Sequence, residues 1–177
     1  MANVRKWLVR ILLPIMAGAF VAALIVAFTH RTRARERALV LACWHGETAT
    51  AHRLLESGVN PNAIVRPDMD SDFDWWAHET FDPQDRMIFR MPAIEAAAFS
   101  DNVSIVHDLL AHGADPNFDD AAGTTALYVA ATKGDEAMVR DLLNHRANPT
   151  LTWKDGSKPI DDASNGTIRA LLKAKGG

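Results

Sequence analysis

A period of 33 residues constrains this chain more than any other feature. Pro92-Ala-Ile-Glu-Ala-Ala-Ala98 is followed by Asp101 and then by Leu109-Leu-Ala-His-Gly-Ala-Asp-Pro-Asn117. Thr125-Ala-Leu-Tyr-Val-Ala-Ala131 is followed by Gly134 and then by Leu142-Leu-Asn-His-Arg-Ala-Asn-Pro-Thr150. Positions 109 and 142, 112 and 145, and 116 and 149 correspond. A unit this short cannot bury its own apolar face, so neighbouring copies must stack on one another.

The same ruler finds further copies. Ala42, Cys43, Trp44, Gly46, Leu54, Leu55 and Gly58-Val-Asn-Pro-Asn62 match the second unit at an offset of 55 residues, so about 22 additional residues separate the first two units. Lys158-Pro159-Ile160 and Ala163 fall 33 residues after Thr125-Ala126-Leu127 and Ala130, and Leu171-Leu172 then arrives four residues early. Over residues 36–175 the chain resembles ankyrin-repeat proteins, whose pattern runs roughly T-P-L-H-x-A-A, then G, V-x-x-L-L and G-A-D-x-N. No unit carries an intact T-P-L-H; Tyr128 stands where the pattern has His. The resemblance implies an all-α fold: an ankyrin-repeat solenoid of three full units (residues 37–63, 92–123 and 124–156) and a truncated C-terminal capping repeat (157–177); the apolar run at residues 11–29 adds a single transmembrane helix before it.

Periodicity gives each unit two antiparallel helices and a turn. In the third unit Leu127, Ala130 and Ala131 share one helical face, and Met138, Leu142 and Leu143 supply the face of the second helix. Gly58 and Gly113 follow the leucine pairs, where a helix ends in positive φ. Arg146 fills that slot in the third unit, at an expected cost of about 1 kcal/mol. Asp115-Pro116-Asn117 and Asn148-Pro149 predict extended or turn backbone. Asp161 and Asp162 suit a polar end cap, and Asn165-Gly166 reads as a turn.

Charge divides the chain. Residues 1–35 carry six Lys/Arg and no acid, whereas residues 36–177 carry 13 Lys/Arg against 22 Asp/Glu, a net −9. An acidic body does not suit a nucleic-acid partner. Residues 11–29 are 19 uncharged, mostly apolar residues, close to the ~20 that cross a bilayer as a helix. Pro14 falls in the first turn, where its missing N–H costs little, and Trp7 lies at interface depth. The readings of this segment are a single-pass anchor, a cleaved signal peptide with an Ala-rich end, and a buried helix. Its length and its direct continuation into the first repeat favour the anchor. Residues 1–10 form a basic tail, and residues 30–36 a basic connector of acceptable helix formers, so the helix is expected to run on into residues 39–44. Three basic residues precede the span and four follow it, a balance that assigns the repeats to neither side of the membrane.

Residues 64–91 break the period at a projecting turn. Asp68, Asp70, Asp72, Asp74, Glu79, Asp82 and Asp85 are crowded with Phe73, Trp75, Trp76, Phe81 and Phe89. In ankyrin stacks such turns form fingers beside the concave, partner-binding face. Asp70, Asp72, Asp74, Trp75, Trp76 and Phe81 are therefore the first candidates for contact with a basic protein partner, through aromatic anchors and complementary charge. Phe99 and Tyr128, near the inner helices, are further candidates, and Tyr128 also suits packing between units. Self-packing of the finger and lack of fixed structure remain alternatives. Asp68, Asp70, Asp72 and Glu79 occupy positions 1, 3, 5 and 12 of a calcium loop, but Phe73 stands where that loop needs Gly.

No catalytic or cofactor set emerges. Cys43 is the sole cysteine and takes a small buried position of the first repeat. His112 and His145 are one repeat position; His45, His52, His78 and His107 form no zinc pattern, and no phosphate loop or nucleophile elbow is present. These features point to a non-enzymatic, membrane-anchored protein-binding module, with no cofactor, metal, nucleic acid or small-molecule substrate. The alternatives are a stoichiometric inhibitor or immunity-type protein at the membrane, an accessory subunit of a membrane complex, and metal-dependent hydrolysis at the Asp cluster.

Overall fold

The computed structural model describes residues 24–25, 27–64, 91–119 and 123–176. The chain divides into two units, Met1–Arg35 and Glu36–Gly177. In the first, residues 27–35 are helical, and Leu24, Ile25 and Phe28 are exposed. No helix among the described residues is long and apolar enough to cross a membrane. Most of the predicted span, residues 11–23 and 26, lies outside the described residues.

Among its described residues the second unit is built of helices and turns, with one isolated β-bridge. Residues 36–44 are helical, followed by α1 (Thr48–Glu56), α2 (Ala93–Phe99), α3 (Val103–Ala111), α4 (Ala126–Lys133), α5 (Glu136–Asn144) and α6 (Gly166–Ala174). The helices pair within each repeat, α2 with α3 and α4 with α5. Between repeats the inner helices stack as α2 on α4, and the outer helices as α1, α3, α5 and α6 in succession. The alanines are what permit this. Ala96, Ala97, Ala98, Ala126, Ala130 and Ala131 are all buried, so inner helices approach closely, while Ile105, Leu109, Met138, Leu142, Ile168 and Leu172 fill the space beneath.

The starts of α3, α4, α5 and α6 are capped by a side chain, whereas Glu47 and Pro92, before α1 and α2, make no side-chain cap. The side-chain oxygens of Asn102, Thr125, Asp135 and Asn165 accept the N–H groups of Ile105, Tyr128, Met138 and Ile168. The last of these corrects the reading of Asn165-Gly166 as a turn. Asn165 is an N-cap and Gly166 begins α6, because the amide oxygen satisfies the orphan N–H of Ile168 at 2.9 Å.

Two left-handed positions recur with the repeat. One follows each inner helix, at Gly46, Asp101 and Gly134. The other follows each leucine pair, at Gly58, Gly113 and Arg146, with Arg146 at φ +69° as its slot demanded. In the last unit no inner helix forms: residues 158–165 turn tightly, with Asp161 N–H donating to the Lys158 carbonyl at 3.0 Å. That replacement is why its leucine pair comes four residues early.

The insertion leaves and re-enters at one point. Ile64 and Pro92 form an isolated antiparallel bridge, and Ala93 N–H donates to the Ala63 carbonyl at 3.0 Å. Residues 65–90 between these feet lie outside the described residues.

Candidate functional site

Six of the sequence candidates, Asp70, Asp72, Asp74, Trp75, Trp76 and Phe81, and the calcium-like pattern from Asp68 to Glu79, fall outside the described residues. The structure places the other two on inner helices. Phe99 ends α2, half-buried, its ring centroid 6.1 Å from that of Trp44, and its carbonyl accepts the Lys133 ammonium at 2.6 Å. The Trp44–Phe99 contact joins equivalent positions of repeats one and two, so it is interface packing as well as surface.

Tyr128 lies in the first turn of α4, where the Thr125 cap fixes its backbone. Its hydroxyl donates to Asp162 Oδ2 at 2.7 Å, across the joint between the third repeat and the cap. Its ring lies 5.6 Å from Trp153, tilted by 38°. Trp153 belongs to the projecting turn between these two units and is 38% exposed. That turn is tightly tied. Trp153 N–H donates to the Ser157 carbonyl and Gly156 N–H to the Trp153 carbonyl, each at 2.9 Å. Asp155 Oδ1 accepts the Ser157 N–H at 2.9 Å and hydroxyl at 2.7 Å.

Electrostatics follow from this arrangement. The Ser157 hydroxyl and N–H hold the Asp155 carboxyl below its ordinary range, so it stays ionised. Desolvation raises the Tyr128 phenol, and the Asp162 hydrogen bond and the charges of Asp162 and Asp155 raise it further, against an opposing Ser157 hydrogen bond. The site is therefore a neutral phenol and an indole in a field of negative charge.

Trp153 and Glu95 escaped the sequence reading, and Asp162, expected only as part of a polar end cap, accepts the Tyr128 hydroxyl. Glu95 lies 33 residues before Tyr128, at the same repeat position on α2, yet it is only 1% exposed. The ruler that located the leucine pairs could have found it. The same ruler, with its 55-residue offset, aligns His52 with His107. Their imidazoles reach Asp108 and Asp141 of the following repeat, both at 3.1 Å. Cys43 is fully buried, as its small-residue position predicted, and burial pushes its thiol up to about 12. Among the described residues no group of His, Cys, Asp or Glu side chains could hold a metal ion.

No curated protein matches this sequence. The first repeat, residues 37–63, lies outside the family match but stacks α1 on α3 as α3 stacks on α5. Residues 94–176 match the family model described as Ankyrin repeats (3 copies), repeats that generally mediate protein–protein interaction.

Proposed function

We propose that this chain is a single-pass membrane protein that presents a short ankyrin stack as a protein-binding module. Binding is by surface complementarity, without turnover, on the inner-helix side and the inserted finger of residues 64–91. The carrying observation for the anchor is the run of exposed apolar side chains, Leu24 at 54%, Ile25 at 58% and Phe28 at 68%, passing at once into Arg31, Arg33 and Arg35. Water is a poor solvent for such a run, whereas a bilayer accepts it and its headgroups accept the arginines. Binding through the finger is supported by its place in the fold. Its two feet, Ile64 and Pro92, close beside α2, and its sequence carries the charge and aromatic area of Asp70, Asp72, Asp74, Trp75, Trp76 and Phe81.

The test uses the full chain expressed in membranes. The protein is expected to stay with the membrane fraction after alkaline carbonate washing; complete release would remove the anchor from the proposal. Affinity capture is then compared with residues 65–90 present and replaced by a short Gly/Ser link. A stoichiometric protein partner lost on replacement is expected, and a partner retained in full would remove the finger from the binding surface. A reporter fused after Gly177 assigns the side of the membrane.

A further inference from the structure

The turn between the third repeat and the cap brings together groups that no reading of the sequence united. Trp153 and Tyr128 present two tilted rings, Asp162 accepts the Tyr128 hydroxyl, and Asp155 and Asp161 are exposed close by in sequence. Among the described residues no lysine or arginine forms an ion pair with Asp155, Asp161 or Asp162, although Lys154 and Lys158 flank them in sequence. The donors these carboxylates do have are neutral: the Tyr128 hydroxyl on Asp162, the Lys158 N–H on Asp161 at 2.9 Å, and Ser157 on Asp155. The geometry is also fixed in advance. Hydrogen bonds from Trp153 to Ser157 and from Ser157 to Asp155 hold the turn, and Gly123 lets the preceding finger pass it, since a Cβ there would lie 3.1 Å from the Thr152 carbonyl oxygen.

An aromatic face beside carboxylates attracts a cation twice over, through the ring quadrupole and through charge. A preformed site loses little conformational entropy on binding. We infer that the notch of Tyr128, Trp153 and Asp162 receives a cationic side chain, arginine or lysine, from a protein partner. This inference rests on the binding-module reading and names the chemistry of the segment bound. The Tyr128 phenol is raised first by desolvation and then by the Asp162 hydrogen bond and the charges of Asp162 and Asp155, and those same carboxylates favour a cation. An arginine suits this surface especially, because its planar guanidinium stacks on aromatic faces and its fork of donors matches a carboxylate.

The experiment uses the full chain in detergent micelles, with indole N–H resonances of the five tryptophans read by NMR and that of Trp153 assigned through Trp153→Phe. The probes are the capped tripeptides Gly-Arg-Gly and Gly-citrulline-Gly, which match in shape and differ in charge. The arginine peptide is expected to shift the Trp153 resonance saturably and the citrulline peptide to bind about tenfold more weakly. Asp162→Asn should weaken arginine binding about fivefold or more, with the other resonances and the melting temperature showing the fold intact. Equal binding of the two peptides, no saturable shift at Trp153, or full binding by a folded Asp162→Asn protein would each overturn the inference. If the peptide fails to bind while affinity capture still returns a partner, the notch falls and the module stands. If the peptide binds and capture returns nothing, the module falls and the notch stands.

Discussion

The joint between repeats one and two and the joint between repeats two and three share contacts at the same positions. His52 meets Asp108 in one and His107 meets Asp141 in the other. The Asn62 side chain accepts the Asp115 N–H at 2.7 Å, and the Asn117 side chain accepts the Asn148 N–H at 2.6 Å. Other contacts differ: Phe99 and Thr132 stand where the first joint pairs the rings of Trp44 and Phe99, the Asn117 amide donates to the Arg146 carbonyl at 3.3 Å, and one donor is exchanged. Asn102 donates to the Gly46 carbonyl and the Thr48 hydroxyl, but Asp135 stands in its place in repeat three and a carboxylate cannot donate. There Lys133 reaches back instead, to the Phe99 carbonyl and Asp101. The joint between repeat three and the cap is different in kind. Arg140 and Thr150 occupy the His107 and Asn117 positions, both ladders stop, and the contact is made by Tyr128 on Asp162, Ser164 N–H on the Ala131 carbonyl, and backbone approach at Gly134. Interior joints are thus a property of the repeat. They are indifferent to the extra residues inserted between repeats one and two, as expected when loop closure costs grow only logarithmically with length.

The sameness of the interior joints is most severely tested in the core. Leu109→Ala and Leu142→Ala each empty a fully buried site at equivalent positions. Each should cost about 2–5 kcal/mol in chemical denaturation, with similar values for the two. A loss under ~0.5 kcal/mol at either would contradict its place in the stacked core.

Glycine at the left-handed position after the inner helix separates the interior joint from the terminal one. Gly46 and Gly134 both have positive φ, so alanine is strained at each by about 1 kcal/mol. At Gly46 the nearest atom to a Cβ is Asn102 Nδ2 at 3.7 Å, whereas at Gly134 it is Ser164 Oγ at 2.7 Å. Gly134→Ala should therefore cost roughly 2 kcal/mol and Gly46→Ala roughly 1 kcal/mol. Adding Ser164→Ala should recover the excess at Gly134 and leave the strain. Equal costs at both positions would mean that the cap does not press on the third repeat as described.

The first repeat differs from its neighbours by carrying Cys43 where they carry Ala98 and Ala131. Its folded thiol is pushed up to about 12 from an ordinary 9.0. Below pH 9 the thiol is protonated in both states and stability is unaffected. Above it the unfolded chain loses the proton and the folded chain keeps it, so stability falls with rising pH until the folded thiol also ionises. Comparison with Cys43→Ala should isolate a loss of about 1.4 kcal/mol per pH unit between pH 9 and 12. Identical alkaline slopes would show the thiol to be accessible. Arg146→Gly acts in the other direction: it relieves a positive-φ arginine where repeats one and two have glycine, and should raise stability by about 0.5–1 kcal/mol in the same assay.

How much of this was legible in the sequence follows from what the repeat dictates. Leu109, Leu142, Ala130 and Gly113 could be placed because periodicity alone assigns them. The strained Arg146 could be placed because its neighbours in register are glycine. Glu95 and the His52–His107 match were equally periodic but were obscured, the first by a polar residue in a buried slot and the second by the insertion's offset. The approach of Trp153 and Asp162 to Tyr128 was not legible. It arises where the last unit loses its inner helix and folds residues 158–165 into turns, and a pattern broken by truncation carries no ruler. Asn165-Gly166 misled for a related reason, since an Asn before a helix and an Asn in a turn satisfy the same N–H groups.

The smallest effect discriminates between the two interior joints themselves. The His52–Asp108 and His107–Asp141 contacts have the same length, and both histidines are largely exposed, so each is worth well under ~1 kcal/mol. Their surroundings differ. Asp141 also faces His145, whose Nδ1 is 3.3 Å from its other oxygen, so it keeps a partner when His107 is removed. Both His112 and His145 set Nδ1 on the backbone carbonyl of the aspartate four residues earlier, at 2.7 and 2.9 Å, and only His145 also reaches a carboxylate oxygen of that aspartate, while His52 has a second partner of its own in Glu56 at 3.5 Å. Double-mutant cycles should accordingly find coupling of about 0.5 kcal/mol for His52 with Asp108 and about half that for His107 with Asp141. The reverse order would mean that the His145 contact reinforces the His107 one instead of replacing it, and that the two joints diverge even where their distances agree.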